Sequence, residues 1–240
     1  MEKRVSIVLV CVAICTLAMS TTSRADLLTD PNFDLGITAP NPNYLAVPGW
    51  SEFGGAAIVP AASLPVVPLS APNVMDTPAG GGGYTVPGAF QTFKLSTAGG
   101  TLTAGQTYTF SCNVYLPAPL APANNAFVLL QFANYSGGLN NDAGSNSLST
   151  ASSANYGNPP GGAIPLATGV WTPISVTETI PVSVGGTNVE SIGVYILDIN
   201  SDTTATFYWD NASLVPEPST VAMALTGLLG LVAFAKKRRV

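Results

Sequence analysis

Residues 107–116 read TYTFSCNVYL. Tyr108, Phe110, Cys112, Val114 and Leu116 share one parity, while Thr107, Thr109, Ser111 and Asn113 share the other. A period of two is the mark of a strand with one face in a core and one in water. Cys112 falls on the apolar side, so it reads as a buried, inert thiol rather than a nucleophile. The same signal recurs in AAIVP (56–60), AFQTFKLS (89–96), AFVLLQFANY (126–135), WTPISVTETI (171–180), SIGVYILDI (191–199) and ATFYWDNASLV (205–215). These runs are rich in β-branched and aromatic residues, and Gly, Pro, Asn and Ser clusters separate them. No stretch of 26–215 shows the 3.6-residue apolar period of an amphipathic helix. Many short strands in one domain predict an all-β fold, a jelly-roll β-sandwich.

The body of the protein, 26–215, is long enough for a single domain with a substantial core. It carries eleven acidic residues against the single Lys94, a net charge of −10. Such a surface cannot neutralise phosphates, so nucleic acid is excluded as a partner. The whole-protein figure of −5 conceals this, because the other seven basic residues lie in the two ends. Histidine is absent altogether. That removes Ser-His-Asp and Cys-His mechanisms and imidazole metal sites. Cys112 is the one cysteine of 26–215, so no disulfide can form within that domain. PAGGGGY (78–84) is glycine-rich, but a strand rather than a helix is expected after it, so it reads as a loop and not a phosphate cradle. The polar stretch 137–162 has no hydrophobic period and is expected to be one long excursion at a rim of the sandwich.

Both ends of the sequence are greasy. Residues 1–25 have a basic start (Lys3, Arg4), an apolar centre and small residues at Ser23 and Ala25, the pattern of a secretory signal peptide cleaved before Asp26. An uncleaved anchor is the alternative. A lipoprotein signal is disfavoured by Val10 and Ile14 before Cys11 and Cys15. At the other end, uncharged residues 221–235 precede Lys236, Lys237, Arg238 and Arg239. As a helix this run covers about 22 Å, short of the roughly 30 Å hydrocarbon slab. It enters a bilayer but spans it poorly, and the basic cluster stays on the cytoplasmic side. The expected organisation is a signal helix in 1–25, a sandwich in 26–215, and a tail in 216–240 containing a short hydrophobic helix.

Val215-Pro216-Glu217-Pro218, the apolar run and the basic terminus together resemble the PEP-CTERM sorting signal of Gram-negative and related bacteria. The resemblance covers about the last 26 residues. It implies recognition and cleavage by an exosortase, a membrane-embedded thiol enzyme, after transient residence in the inner membrane. Delivery to the cell surface or its exopolysaccharide matrix would follow. Two prolines keep the motif out of a regular helix and extended, as a protease cleft requires. An ordinary tail anchor behind a proline-rich linker is the plainer alternative.

The sandwich carries a second resemblance. LLTDPNFDLG, PGW at 48–50, AFQTFKLS, AGQTYTFSCNVYL, WTPISVT and FYWDNASLV follow in order the pattern of carbohydrate-binding-module-like, galactose-binding-like jelly rolls. That resemblance implies a structural calcium between first and last strands, with Asp34 and Asp210 at the matching positions and Asp30 nearby. Calcium takes six to eight oxygen ligands, so two carboxylates from opposite ends of the domain would make a core for one. Solvated turn acids are the competing explanation. Polysaccharide binding, also implied, needs an aromatic platform and polar groups that read hydroxyls. Trp50, Tyr84 and Gln91 are the candidates, with Trp209 a further ring. Gln91 shares parity with Ala89, Phe93 and Leu95, so its amide faces the apolar side and must find partners, as a structural hydrogen-bonder more readily than as a ligand contact.

Glycoside hydrolysis needs only two suitably spaced carboxylates. Glu178 shares parity with Ile174, Val176 and Ile180, and Asp198 with Ile192, Val194 and Ile196. Nothing in the sequence pairs the two acids, so no catalytic residue is assigned and the protein is not expected to be an enzyme. Three classes remain open: a non-catalytic surface or matrix protein that binds carbohydrate, a purely structural coat or adhesion protein, and a glycoside hydrolase or lyase.

Overall fold

The computed structural model describes residues 26–35, 37–38, 49–60, 62, 64, 67–70, 72–77, 86–96, 102–117, 125–134, 147–154, 156–157, 164–199 and 206–217. The signal helix expected in 1–25, the hydrophobic run 221–235, Tyr84, Pro218 and the basic cluster Lys236, Lys237, Arg238 and Arg239 lie outside these residues. Among the described residues no helix is long and apolar enough to cross a membrane. Asp26–Val215 forms one compact unit.

In sequence order the strands are β1 (Ile37–Thr38), β2 (Trp50–Phe53), β3 (Ala57–Pro60), β4 (Asn73–Thr77), β5 (Gly88–Lys94), β6 (Thr107–Tyr115), β7 (Asn125–Ala133) and β8 (Ser147–Ser152). There follow β9 (Tyr156–Gly157), β10 (Ile164–Pro165), β11 (Trp171–Thr179), β12 (Ser183–Val184), β13 (Thr187–Asn188), β14 (Ser191–Ile199) and β15 (Phe207–Pro216). An eight-stranded sheet runs β1-β2-β5-β14-β7-β9-β10, with β8 also on β7; a five-stranded sheet runs β11-β6-β15-β4-β3. β12 and β13 form a separate hairpin. β1 on β2 and β9 on β10 pair in parallel, whereas β2-β5-β14-β7-β8, β11-β6 and β15-β4-β3 pair antiparallel. The described residues of Asp26–Val215 form an all-β jelly-roll sandwich.

The alternation read in β6 is realised. Tyr108, Phe110, Cys112 and Val114 are buried between the sheets, and Thr109 and Thr107 face outward. Their hydroxyls meet those of Thr177 and Thr179 on β11 at 2.7 Å each, cross-strand pairs that stabilise the solvated face. β14 departs from simple alternation. Its even members Ile192, Val194 and Ile196 are core, yet Tyr195 and Leu197 are also buried, so the strand is covered on both faces.

The stretch 137–162 is not one loop. It contains β8 and β9, which pair with β7. β8 contributes mainly backbone to the ladder and its outward residues are Ser and Thr, so no hydrophobic period marks it. Leu148, Ala151 and Tyr156 nevertheless pack against the core.

Two irregularities position the ends of the domain. On β15, Phe207 and Trp209 point inward, but so do Ala212 and Leu214. Asn211 sits between them at φ 53°, and its left-handed conformation inserts the extra residue that switches parity. Segment 26–31 then lies along β15: the Leu27 N–H donates to the Leu214 carbonyl at 3.0 Å and the Ala212 N–H to the Pro31 carbonyl at 2.9 Å.

Candidate functional site

The outer face of the eight-stranded sheet carries a second apolar cluster, separate from the core: Phe90, Tyr195 and Leu197, with Val86, Phe127 and Leu129 packed around them. Register explains how it assembles. Residues directly opposite in a ladder share a face, which puts Ser51, Phe90, Tyr195, Leu129 and Ser152 in one row across β2, β5, β14, β7 and β8. The next row along is Thr92, Gly193, Gln131 and Thr150. An apolar row thus lies beside a polar one.

Gly193 decides the geometry between them. A Cβ there would stand 2.5 Å from Cε2 of Tyr195, so the tyrosine ring leans over its own strand into space that only glycine leaves. The ring stacks on Phe90 with centroids 5.1 Å apart and planes 19° from parallel. Its hydroxyl donates to Oε1 of Gln131 at 2.8 Å. Phe90 and Tyr195 are 2% and 3% exposed and form a floor. The half-buried Thr92, Phe127 and Leu129 and the exposed Thr150 and Ser152 are what the face offers outward. Two buried polar atoms on this face, Oδ1 of Asn125 and Oγ of Ser191, have no hydrogen-bond partner. Both atoms are sealed from solvent, Ser191 entirely, so they are unmet needs of the packed sheet rather than ligand contacts.

The aromatic and amide candidates from the sequence sit elsewhere. Trp50 is fully buried; its indole N–H donates to the Asp30 carbonyl at 2.7 Å and its ring packs 5.2 Å from that of Phe33. It therefore braces the N-terminal segment and has no face to give a sugar. Trp209 is likewise buried, with its N–H on the Thr77 hydroxyl at 2.9 Å. Gln91 is buried against the core, where its Oε1 accepts the Thr29 N–H at 3.2 Å and its Nε2 is unpaired. This is the structural role its parity implied.

Asp30, Asp34 and Asp210 do not converge. Asp30 accepts the N–H groups of Asp34 at 2.7 Å and Leu35 at 2.9 Å, closing the turn in which Phe33 adopts φ 60°. Burial raises its pKa, while the amides of Leu35 and Asp34 work against that rise. Asp34 is exposed. Asp210 accepts the N–H groups of Leu69, Ser70 and Asn211 at 2.6, 2.8 and 2.6 Å and the Ser70 hydroxyl, so it fastens 67–70 to β15. Among the described residues no three acids, cysteines or histidines gather at one point. The carboxylate oxygens of Asp30 and Asp210 are engaged by backbone amides.

The two acids weighed for hydrolysis are far from equivalent. Glu178 is exposed, and its Oε1 meets only the next residue's N–H, at 3.2 Å. Asp198 is fully buried with both oxygens unpaired. Burial pushes its pKa up to about 8, opposed by the neighbouring Thr77 side chain. Cys112 is buried, its thiol directed at the Asp210 carbonyl at 3.4 Å, and burial together with the Asp210 charge pushes its pKa up. It is not a nucleophile.

Phe90, Tyr195 and Gln131 are not among the candidates that the sequence offers. Their signal is present there: β5 and β14 carry large apolar residues on both parities, as strands covered on both faces do. Pairing that brings the three together is not visible in any single run.

A β-sandwich with an apolar outer cluster thus runs, through its last strand, into a C-terminal tail of known type. Residues 214–239 match the PEP-CTERM protein-sorting motif, which marks an exported protein processed at the cell envelope. No curated protein matches the sequence. Among solved structures, the protein is similar to "Family 16 Carbohydrate Binding Module-2" at 16% identity, covering 79% of this protein and 99% of that one with a TM-score of 0.45. It is similar to TmCBM61, solved with β-1,4-galactotriose, at 11% identity over 80% and 99% of the two proteins, TM-score 0.43. The CBM22-1 xylan-binding domain of Paenibacillus barcinonensis Xyn10C is a further likeness, at 12% identity over 71% and 86%, TM-score 0.42. These are likenesses of outline and bring no ligand to this protein.

Proposed function

We propose that this is a non-catalytic exported protein of the cell surface or extracellular matrix that binds polysaccharide across the outer face of the eight-stranded sheet. The observation that carries this reading is the paired rows on that face. Half-buried Phe127 and Leu129 beside Thr92 and the exposed Thr150 suit a sugar ring, which has an apolar face and a rim of hydroxyls. Non-catalysis is supported by the separation of Glu178, which is exposed, from Asp198, which is sealed in the core. Exosortase is the processing partner that the sorting motif implies. The mature protein would be tested against a panel of surface and plant-type polysaccharides by affinity electrophoresis. Retardation by at least one polymer, reduced tenfold or more in Thr150→Ala with an unchanged melting temperature, is the expected result. Failure on every polymer, with self-association of the protein, would replace this reading with a structural coat; release of reducing ends would replace it with a hydrolase.

A further inference from the structure

The outer face of the five-stranded sheet carries an aromatic row of its own. In the β11–β6 ladder Trp171 stands opposite Tyr115, and in the β15–β4 ladder Tyr208 stands opposite Asp76. β6 and β15 are neighbours, and their tyrosine rings meet with centroids 6.4 Å apart, so the two pairs make one row across four strands. None of the three rings belongs to the core between the sheets. Tyr115, 8% exposed, is the floor; Trp171 and Tyr208, each half-buried, flank it. The Trp171 ring lies 5.4 Å from that of Tyr115 and is tilted 50° to it, while the Tyr208 ring is tilted 42°. Rings tilted in this way make walls rather than a flat platform. The indole is held in place, since its N–H donates to the Val67 carbonyl at 2.9 Å. Half-buried Asp76 closes the row. Its Oδ1 accepts the Ala57 N–H at 3.2 Å, and desolvation raises its pKa in spite of that bond. Burial, and after it the neighbouring Asp76 and Tyr115, push the pKa of the Tyr208 hydroxyl up as well, so at neutral pH the phenol stays uncharged and the carboxylate supplies the negative charge. Among the described residues the one basic side chain, Lys94, is on β5 of the other sheet.

From this arrangement we propose that Trp171, Tyr115, Tyr208 and Asp76 form a cage for a quaternary ammonium group. A cation gains from an aromatic face when it sits within about 6 Å of the ring centroid. β11 and β15 stand two strand spacings apart, about 10 Å, so a cation over Tyr115 lies between the two walls and beside the carboxylate. The net charge of −10 on 26–215 draws cations toward the molecule. A primary ammonium would leave water with three N–H donors still to satisfy. A quaternary one has none, and its methyl groups gain by burial against the rings. The cage is on the opposite sheet from Thr150, and it does not rest on polysaccharide binding.

Trp50 and Trp209 are fully buried, so a ligand-dependent change in the tryptophan fluorescence of the protein isolated from its envelope reports on Trp171. Tetramethylammonium chloride and choline chloride should each change it saturably at roughly millimolar concentration. Sodium chloride at equal ionic strength should not, nor should the uncharged choline analogue in which carbon replaces nitrogen. Asp76→Asn, which keeps an oxygen for the Ala57 N–H, should bind choline about fivefold more weakly or worse with an unchanged melting temperature. Tyr208→Leu should weaken it likewise, while Tyr208→Phe, which keeps the ring, should bind as the wild type does. Co-sedimentation separates the two sources of such a group: capture by phosphatidylcholine but not phosphatidylglycerol vesicles assigns a lipid headgroup, and a response to choline without capture assigns a free solute. An equal response to the uncharged analogue, or none to either ammonium salt, overturns the cage. Undiminished binding in a folded Tyr208→Leu overturns it too, and undiminished binding in Asp76→Asn overturns the role of the carboxylate.

Discussion

Asp198 is the residue whose environment is least comfortable. A carboxyl sealed from water, which only the Thr77 side chain helps to keep charged, favours its neutral form. Folded, it holds its proton up to about pH 8; unfolded, it loses it near the ordinary aspartate pKa of about 4. The folded state therefore binds the extra proton between these values, and stability falls as pH rises through them. Buried Asp30 and half-buried Asp76, whose pKa values desolvation also raises, push in the same direction. Asp198→Asn should flatten the pH dependence of denaturant unfolding between pH 4 and 8. It should also leave the variant more stable above pH 8, by up to the order of 5 kcal/mol if the whole shift is expressed. An identical slope in wild type and variant would mean that the carboxyl reaches water. Trp50 belongs to the same scale. Removing a fully buried indole that also satisfies the Asp30 carbonyl leaves a large cavity, so Trp50→Ala should cost about 3–5 kcal/mol in urea unfolding. Its loss would report on folding and not on sugar contact.

Among elements, β14 does the most to build the site. It places Ile192, Val194 and Ile196 in the core and Gly193, Tyr195 and Leu197 on the outer cluster. Gly193→Ala would drive a methyl into the Tyr195 ring, which must then rotate off Phe90. A destabilisation of about 1–3 kcal/mol is expected from such overpacking, with loss of the Tyr195–Gln131 hydrogen bond visible by NMR. Unaltered tyrosine shifts would contradict the packing described. The turn held by Asp30 and the 67–70 segment held by Asp210 are fastened by amides, so EDTA or added calcium should leave the melting temperature unchanged. A clear shift would instead support the calcium that the jelly-roll resemblance implies. Strand alternation makes β6 and β11 legible in the sequence, while β5, β14 and β15 show as runs of β-branched and aromatic residues. β8 is not legible, since a Ser-rich strand with only Leu148 and Ala151 on the core carries no apolar period. Trp50 reads as a platform only because sequence pattern cannot tell an indole that caps a core from one that faces water. Phe90 and Tyr195 escape because their significance lies in cross-strand register, which a single strand does not encode.

As a whole molecule, the protein is a histidine-free acidic sandwich whose last strand runs into a sorting motif. Its targeting is readable from local sequence, for export signals are linear and are recognised as linear segments. The proposed binding face is not, for its rows form only once five strands are paired. The account's central claim is that this face meets polysaccharide, and hydrogen-exchange mass spectrometry of the mature protein with and without a polymer that retards it tests the claim most directly. Slowed exchange confined to β5, β7, β8 and the outer rim of β14 is the predicted outcome. Protection confined to β11, β6 and β4 of the five-stranded sheet, or no protection anywhere, would contradict it.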